Sequence, residues 1–186
     1  MSFQLNVGFS HFEAGAAVAQ SLLAKSYKKI GFIGARMDPR TCDRLAGFES
    51  VLSAANCLDP KRVITITQPS SIAMGASLFR ELMATTEGDC DAVFCCNDDL
   101  ALGALHECKK MRLQVPDKFG VCGFNDIEMA AYAEPSLSSV NVNRYHMGSR
   151  AMELIFERLN TPKINTNAQV KFINTGFELF MRKSTR

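Results

Sequence analysis

Four short polar segments each follow an apolar run, and their residue types are suited to holding a ligand. Asp91-Ala-Val-Phe-Cys-Cys96 leads into Asn97-Asp98-Asp99, and Gly123-Phe124 leads into Asn125-Asp126. Lys29-Ile-Gly-Phe-Ile-Gly34 leads into a segment carrying Arg36, Arg40 and Arg44 at intervals of four, and Val63-Ile-Thr-Ile-Thr67 leads into Gln68 to Ser71, with Ser70 among them. Guanidinium forks donate paired hydrogen bonds that fit a carboxylate, a phosphate or a polyol. Amide side chains both donate and accept, as hydroxyl groups require. Each segment also has a purely structural reading. Asn or Asp at a helix start, with acids in the first turn, offsets exposed amides and the helix dipole. The arginines could equally form a solvated face paired with Asp38 and Asp43. A single cap needs one such residue and positions 97–99 supply three, which leaves Asn97 free to face a crevice while Asp98 and Asp99 serve the helix.

Other chemistries find less support. His11, His106 and His146 are scattered, no histidine is matched to a cysteine, and neither G-x-S-x-G nor G-x-x-x-x-G-K-[ST] occurs. We therefore expect no catalytic residues, no metal and no cofactor. A rival reading is an α/β enzyme or phospho-receiver that places Asp98 and Asp99 on Mg²⁺, which would also need a phospho-acceptor and a lysine on the same rim. The formal charge of +2, from 21 basic and 19 acidic residues spread without long runs, leaves no electrostatic footprint for nucleic acid on this chain. Seven cysteines form an odd set without C-x-x-C spacing, which fits a reducing cytoplasm better than a disulfide framework or a zinc site. No apolar run reaches membrane-spanning length and no secretory leader is legible, so no membrane partner is expected.

The elements that must position these residues alternate regularly. Ser10 with Glu13 three residues on reads as a capping box, and Ala14, Val18, Leu22 and Leu23 mark one face of the helix that follows. Strands are predicted at 29–34, 63–67, 92–95 and 119–122, and helices at 43–52, 69–85, 98–110 and 127–132, with residues 35–41 as a loop after Pro39 is taken into account. Such β-α alternation implies a mainly parallel, doubly wound sheet with helices on both faces, and ligands in such sheets sit beyond the carboxyl ends of the strands. The pattern changes after Pro135. Residues 138–142 read as a strand, Met147, Ala151, Leu154, Ile155 and Arg158 lie on one helical stripe, and 170–174 with 176–181 read as a terminal hairpin.

The stretch Asp91 to Leu105, followed by Val115 to Leu159, resembles the effector-binding region of the lac repressor (LacI/GalR) family. The matching features are a strand-Asn-Asp-helix, a Gly-Phe-Asn-Asp turn, the Pro135-Ser-Leu-Ser-Ser-Val140 segment and a Met147-Gly148 helix. Cys42-Asp-Arg-Leu-Ala-Gly-Phe48 is similar to the family's Arg-Leu-Ala-Gly-Phe helix start, and Val7 to Gly15 with Gly34 to Thr41 look most like the gluconate-utilisation repressors. The resemblance covers nearly the whole chain. It implies a type I periplasmic-binding-protein-like α/β fold, with 6–136 as the C-terminal lobe, 137–161 as a return segment and 162–186 as closing strands. It further implies a cytoplasmic homodimeric regulator whose helix-turn-helix, the part that reads operator DNA, is absent from this chain. A periplasmic-type sugar-binding protein shares the fold and is the nearest alternative. Carried over by motif, Arg44 falls on the effector-contacting arginine, Arg40 on a pocket position, Asn97 on the polar residue after the strand, and Asn125 on the first acid of the family's turn. That last position is an amide here, and exchanging a carboxylate for an amide among several arginines favours a sugar acid over a neutral sugar.

Overall fold

In a computed structural model, residues 5–160 and 171–186 are described. The elements are β1 (Leu5–Gly8), α1 (His11–Ala24), β2 (Ile30–Gly34), α2 (Pro39–Ala54), β3 (Val63–Thr65), α3 (Ile72–Thr85) and β4 (Ala92–Cys95). They continue with α4 (Asp98–Lys110), β5 (Gly120–Phe124), α5 (Glu128–Tyr132), β6 (Ser138–Asn141), α6 (Arg144–Asn160), β7 (Lys171–Asn174) and β8 (Glu178–Phe180). The described residues divide into two compact units, one of residues 11–141 with 179–186 and a smaller one of residues 5–10 with 142–160 and 171–178.

The larger unit is built on a six-stranded sheet of order β3-β2-β4-β5-β6-β8, in which β3, β2, β4, β5 and β6 run parallel. Every residue of β2, β4 and β5 is buried, as expected of apolar runs covered on both faces. Helix α1 packs on α2, and α3 packs on α4. Phe32, Phe48 and Phe94 pack with ring centroids 5.5 to 5.7 Å apart, and Phe79 meets Phe119 edge to face at 5.3 Å. Burying each such ring is worth about 1.5–3 kcal/mol relative to leaving it in water.

The sheet order changes direction between β2 and β4. The chain passes from β2 outward to β3, then returns across β2 to β4 and continues the other way, which opens a crevice at the carboxyl ends of β2 and β4. Two small residues seat the helix that enters that crevice. A Cβ on Gly15 of α1 would lie 2.0 Å from the Arg44 carbonyl oxygen, and one on Gly47 of α2 would lie 1.9 Å from that of Phe12. Gly15→Ala is accordingly expected to force the Arg44 backbone away from α1 and to destabilise the unit by about 1–3 kcal/mol, the usual cost of overpacking, which urea unfolding would register. An unchanged midpoint would show that the two helices slide apart without cost.

The smaller unit pairs β1 with β7 in parallel register, Leu5 opposite Lys171 and Gly8 opposite Asn174, with α6 packed on β1. The expected terminal hairpin is therefore not formed. Strand β7 takes β1 as its partner and β8 joins β6 in the other sheet, so the Thr175-Gly176 turn separates strands of different sheets. Boundaries fall accordingly: residues 171–178, placed by sequence with the main lobe, lie in the smaller unit, as do residues 6–10, and residues 162–170 lie outside the described residues. The predicted loop at 35–41 is shorter than expected. Pro39 opens α2 at the first helical positions, where its fixed φ suits the helix, so Arg40 is helical and Arg36 alone of the two is in the loop.

Candidate functional site

A cleft of about 270 Å³ lies in the larger unit and is lined by Ala35, Arg36, Asp38, Arg40, Thr41, Arg44, Ser70, Cys96, Asn97 and Asn125. All six residues singled out by sequence reach it. They come from the segments that follow β2, β3, β4 and β5, with Arg40 and Arg44 on α2, so one rim of the sheet gathers them as the doubly wound topology requires.

Arg44 forms the inner wall and is only 8% exposed. Its Nη1 donates to the Cys96 carbonyl at 2.6 Å, its Nε donates to Nδ1 of His11 at 3.1 Å, and its Cζ sits 3.7 Å from the centroid of the Phe124 ring. Such stacking favours the planar, weakly hydrated guanidinium over an ammonium. Burial lowers the Arg44 pKa to about 10, which leaves it a cation at neutral pH. Burial, followed by the nearby Arg44 and Arg40 charges, lowers the His11 pKa to about 4, which leaves the ring neutral and able to accept.

Arg36 and Arg40 are exposed at the outer rim. Asp38 caps α2 by accepting from the Thr41 amide at 3.0 Å and also takes the Arg40 Nη2 at 2.5 Å. The hydrogen bond from Arg40 holds the Asp38 carboxyl down at about 2. The local ion pair anticipated for Arg40 thus forms, and it engages Asp38, the one carboxylate among the described residues lining the cleft. Three guanidinium groups face one satisfied acid.

Asn97, Asp98 and Asp99 divide their work differently from expectation. Asn97 is itself the N-cap of α4: its Oδ1 accepts from the Leu100 amide at 3.1 Å, and its Nδ2 donates to Ser70 Oγ at 2.7 Å. One residue therefore caps the helix and presents an amide to the cleft, fixed by Ser70. Asp98 points inward at 1% exposure, where Oδ1 accepts from Ser139 Oγ at 2.6 Å and Oδ2 from the Ile127 amide at 2.8 Å. Neither Asp98 nor Asp99 is among the residues lining the cleft, and the Asp98 carboxylate, which one alternative places on Mg²⁺, is buried and already engaged by Ser139 and Ile127. Among the described residues no group of three metal-ligating side chains forms.

Asn125 and Asp126 occupy the left-handed region, with φ of 106° and 49°. Asn and Asp tolerate these angles better than other side-chain-bearing residues, so their presence here answers a backbone need as well as a ligand's. The turn is pinned from three directions: Asn125 N donates to Val140 O at 2.9 Å, Asp126 N to Ser139 Oγ at 3.1 Å, and the Asp126 carboxylate takes Arg182 Nη1 at 2.6 Å. The seven cysteines are unpaired, and burial pushes the Cys95 and Cys122 thiols well above their ordinary range, which suppresses nucleophilic character.

The sequence matches the family described as periplasmic binding protein-like domain over residues 19–185. The chain belongs to that family. Over 179 residues it is 40% identical to the HTH-type transcriptional regulator GntR of Pseudomonas aeruginosa, which spans 96% of this chain and 51% of that protein. It superposes on the transcription regulator GntR from Chromobacterium violaceum with a TM-score of 0.89 at 37% identity, covering 96% of this chain and 64% of the other. A LacI family transcriptional regulator from Silicibacter pomeroyi follows with a TM-score of 0.87 at 29% identity, covering 98% and 65%. The chain spans about half the length of the curated relatives it matches. These relatives are transcriptional regulators, and what this chain shares with them is the periplasmic-binding-protein-like domain. No helix among the described residues is long and apolar enough to cross a membrane.

His11 and Cys96 are site residues that sequence reasoning missed. His11 lies 33 positions from Arg44, and a lone histidine at the start of a helix carries no signal of its own. Cys96 contributes its carbonyl, a group every residue has.

Proposed function

We propose that the chain is the effector-binding part of a transcriptional regulator controlling carbohydrate use, and that its effector is a sugar acid, with gluconate the first candidate. The observation supporting this is the convergence of Arg36, Arg40, Arg44, Ser70, Asn97 and Asn125 on one cleft in which cations outnumber the single, already satisfied carboxylate. Arg44, with Arg40 and Arg36 at the rim, takes the carboxylate; Ser70, Asn97 and Asn125 take hydroxyls, for which groups that both donate and accept are suited. The similarity to gluconate-utilisation repressors in Val7 to Gly15 and Gly34 to Thr41 points to the same ligand class. Effector binding in a homodimeric cytoplasmic regulator then shifts affinity for operator DNA, which a separate N-terminal domain reads, through a coupling of about 1–3 kcal/mol.

A thermal-shift panel of gluconate, its 6-phosphate, related sugar acids and neutral sugars tests the reading. A ligand that binds the folded state raises the melting temperature by mass action. The acids are expected to raise it and neutral sugars of the same length to leave it in place. An equal rise with neutral sugars, or none with any acid at saturating concentration, overturns the assignment.

A further inference from the structure

We infer that His11 is a specificity-determining positioning residue of the cleft: by accepting the Arg44 Nε–H at Nδ1 it closes one edge of that guanidinium and leaves only the terminal edge for an anion. A carboxylate can take an arginine side-on, through Nε and one terminal nitrogen, or end-on, through both terminal nitrogens. The 3.1 Å bond to His11 occupies Nε and removes the side-on option. The 2.6 Å bond to Cys96 O takes one hydrogen of Nη1, and the Phe124 ring covers one face at 3.7 Å. What remains is one hydrogen of Nη1 and those of Nη2, at a fixed angle and depth. The His11 ring is itself held, with its centroid 6.1 Å from that of Phe124.

This role requires a neutral ring protonated at Nε2, because a proton at Nδ1 would oppose the Nε–H directly. Burial of the ring enforces that state first, and the surroundings add to it: Arg44 and Arg40 from α2 oppose its protonation, while Asp43 and Asp38 favour it more weakly. The folded-state pKa lies below the ordinary value, so the clamp is intact at neutral pH and opens only as the pH falls toward about 4. Over the same fall the unfolded chain protonates first, so the histidine's preference for neutrality costs stability progressively below pH 6.5. The identity of the anion rests on the sugar-acid reading above; the clamp does not.

Three variants separate a clamp from mere filling of space. Asparagine carries its Oδ1 where histidine carries Nδ1, glutamine reaches the Nε2 position, and alanine reaches neither. In the 186-residue chain, ¹⁵N spectra at neutral pH are expected to show His11 Nδ1 unprotonated and a slowly exchanging Arg44 Nε–H. That signal should persist in His11→Asn and be lost in His11→Gln and His11→Ala. In wild type it should vanish as the pH approaches about 4, and in His11→Asn it should not. Gluconate affinity should fall about tenfold in the glutamine and alanine variants and stay within about threefold in the asparagine variant, the scale of one charge-assisted bond. A protonated Nδ1 in wild type, or equal exchange of the Arg44 signal in all four proteins, overturns the inference. If wild type binds no sugar acid, the proposed ligand is wrong, and the exchange and pH data alone decide the clamp.

Discussion

Arg44→Ala is expected to weaken sugar-acid binding by about two orders of magnitude, because truncating one partner of a desolvated charge pair loses the bond and leaves the other charge unpaired. The same substitution removes the hydrogen bond to Cys96 O and uncovers the Phe124 face, at a stability cost of about 1–3 kcal/mol. Binding and stability therefore have to be read together, by calorimetric titration and urea unfolding on the same preparation. Arg44→Lys sharpens the result. An ammonium keeps the charge but cannot reach Cys96 O, stack on Phe124 and meet His11 in one plane, so affinity should still fall about tenfold. A lysine variant that binds as wild type would mean that the cleft reads charge alone.

Asp98→Ala is the most damaging stability change we expect, at about 3 kcal/mol, although Asp98 touches no ligand. Its carboxylate is the shared acceptor of Ser139 in β6 and of the Ile127 amide before α5, and its loss leaves a void and two unanswered donors. Burial raises the Asp98 pKa, so ionisation itself works against folding as the pH rises past the ordinary carboxylate range. The hydrogen bonds offset that cost in the folded protein, and alanine forfeits them. Because the same carboxylate pins the turn that holds Asn125 at φ 106°, the variant should also loosen effector binding at temperatures where it remains folded. A loss below about 1 kcal/mol, on the scale of a surface substitution, would show that the turn holds itself.

The alternation of apolar strands with capped helices was legible because each element answers to local rules: period, caps and glycines. Ser71, for instance, caps α3 where the Pro69-Ser-Ser71 signal anticipates a helix start. The rim residues were legible for the same reason, since each immediately follows a strand. What local rules could not show was which of three adjacent polar residues faces the cleft. Asn97, Asp98 and Asp99 look interchangeable as helix-start residues. The choice is made by the parallel register of β4, β5 and β6, which brings Ser139 and Ile127 to Asp98, and by that of β3, β2 and β4, which brings Ser70 to Asn97. The terminal hairpin failed on the same ground. Thr175-Gly176 is a sound turn signal, yet β7 gains more from pairing with β1, at the other end of the chain, than with its neighbour in sequence. His11 was invisible because a positioning histidine needs a partner, and its partner lies on another helix.

One cleft, at the point where strand order reverses, is proposed to take an anionic sugar through residues of the four segments that follow β2, β3, β4 and β5. Amide chemical-shift mapping of the chain during titration with gluconate tests it most directly. The account predicts saturable shifts concentrated at Arg36, Thr41, Arg44, Ser70, Asn97 and Asn125, reduced in Arg44→Ala and absent with glucose at the same concentration. Saturable shifts confined to other residues, or equal shifts with glucose, would contradict it.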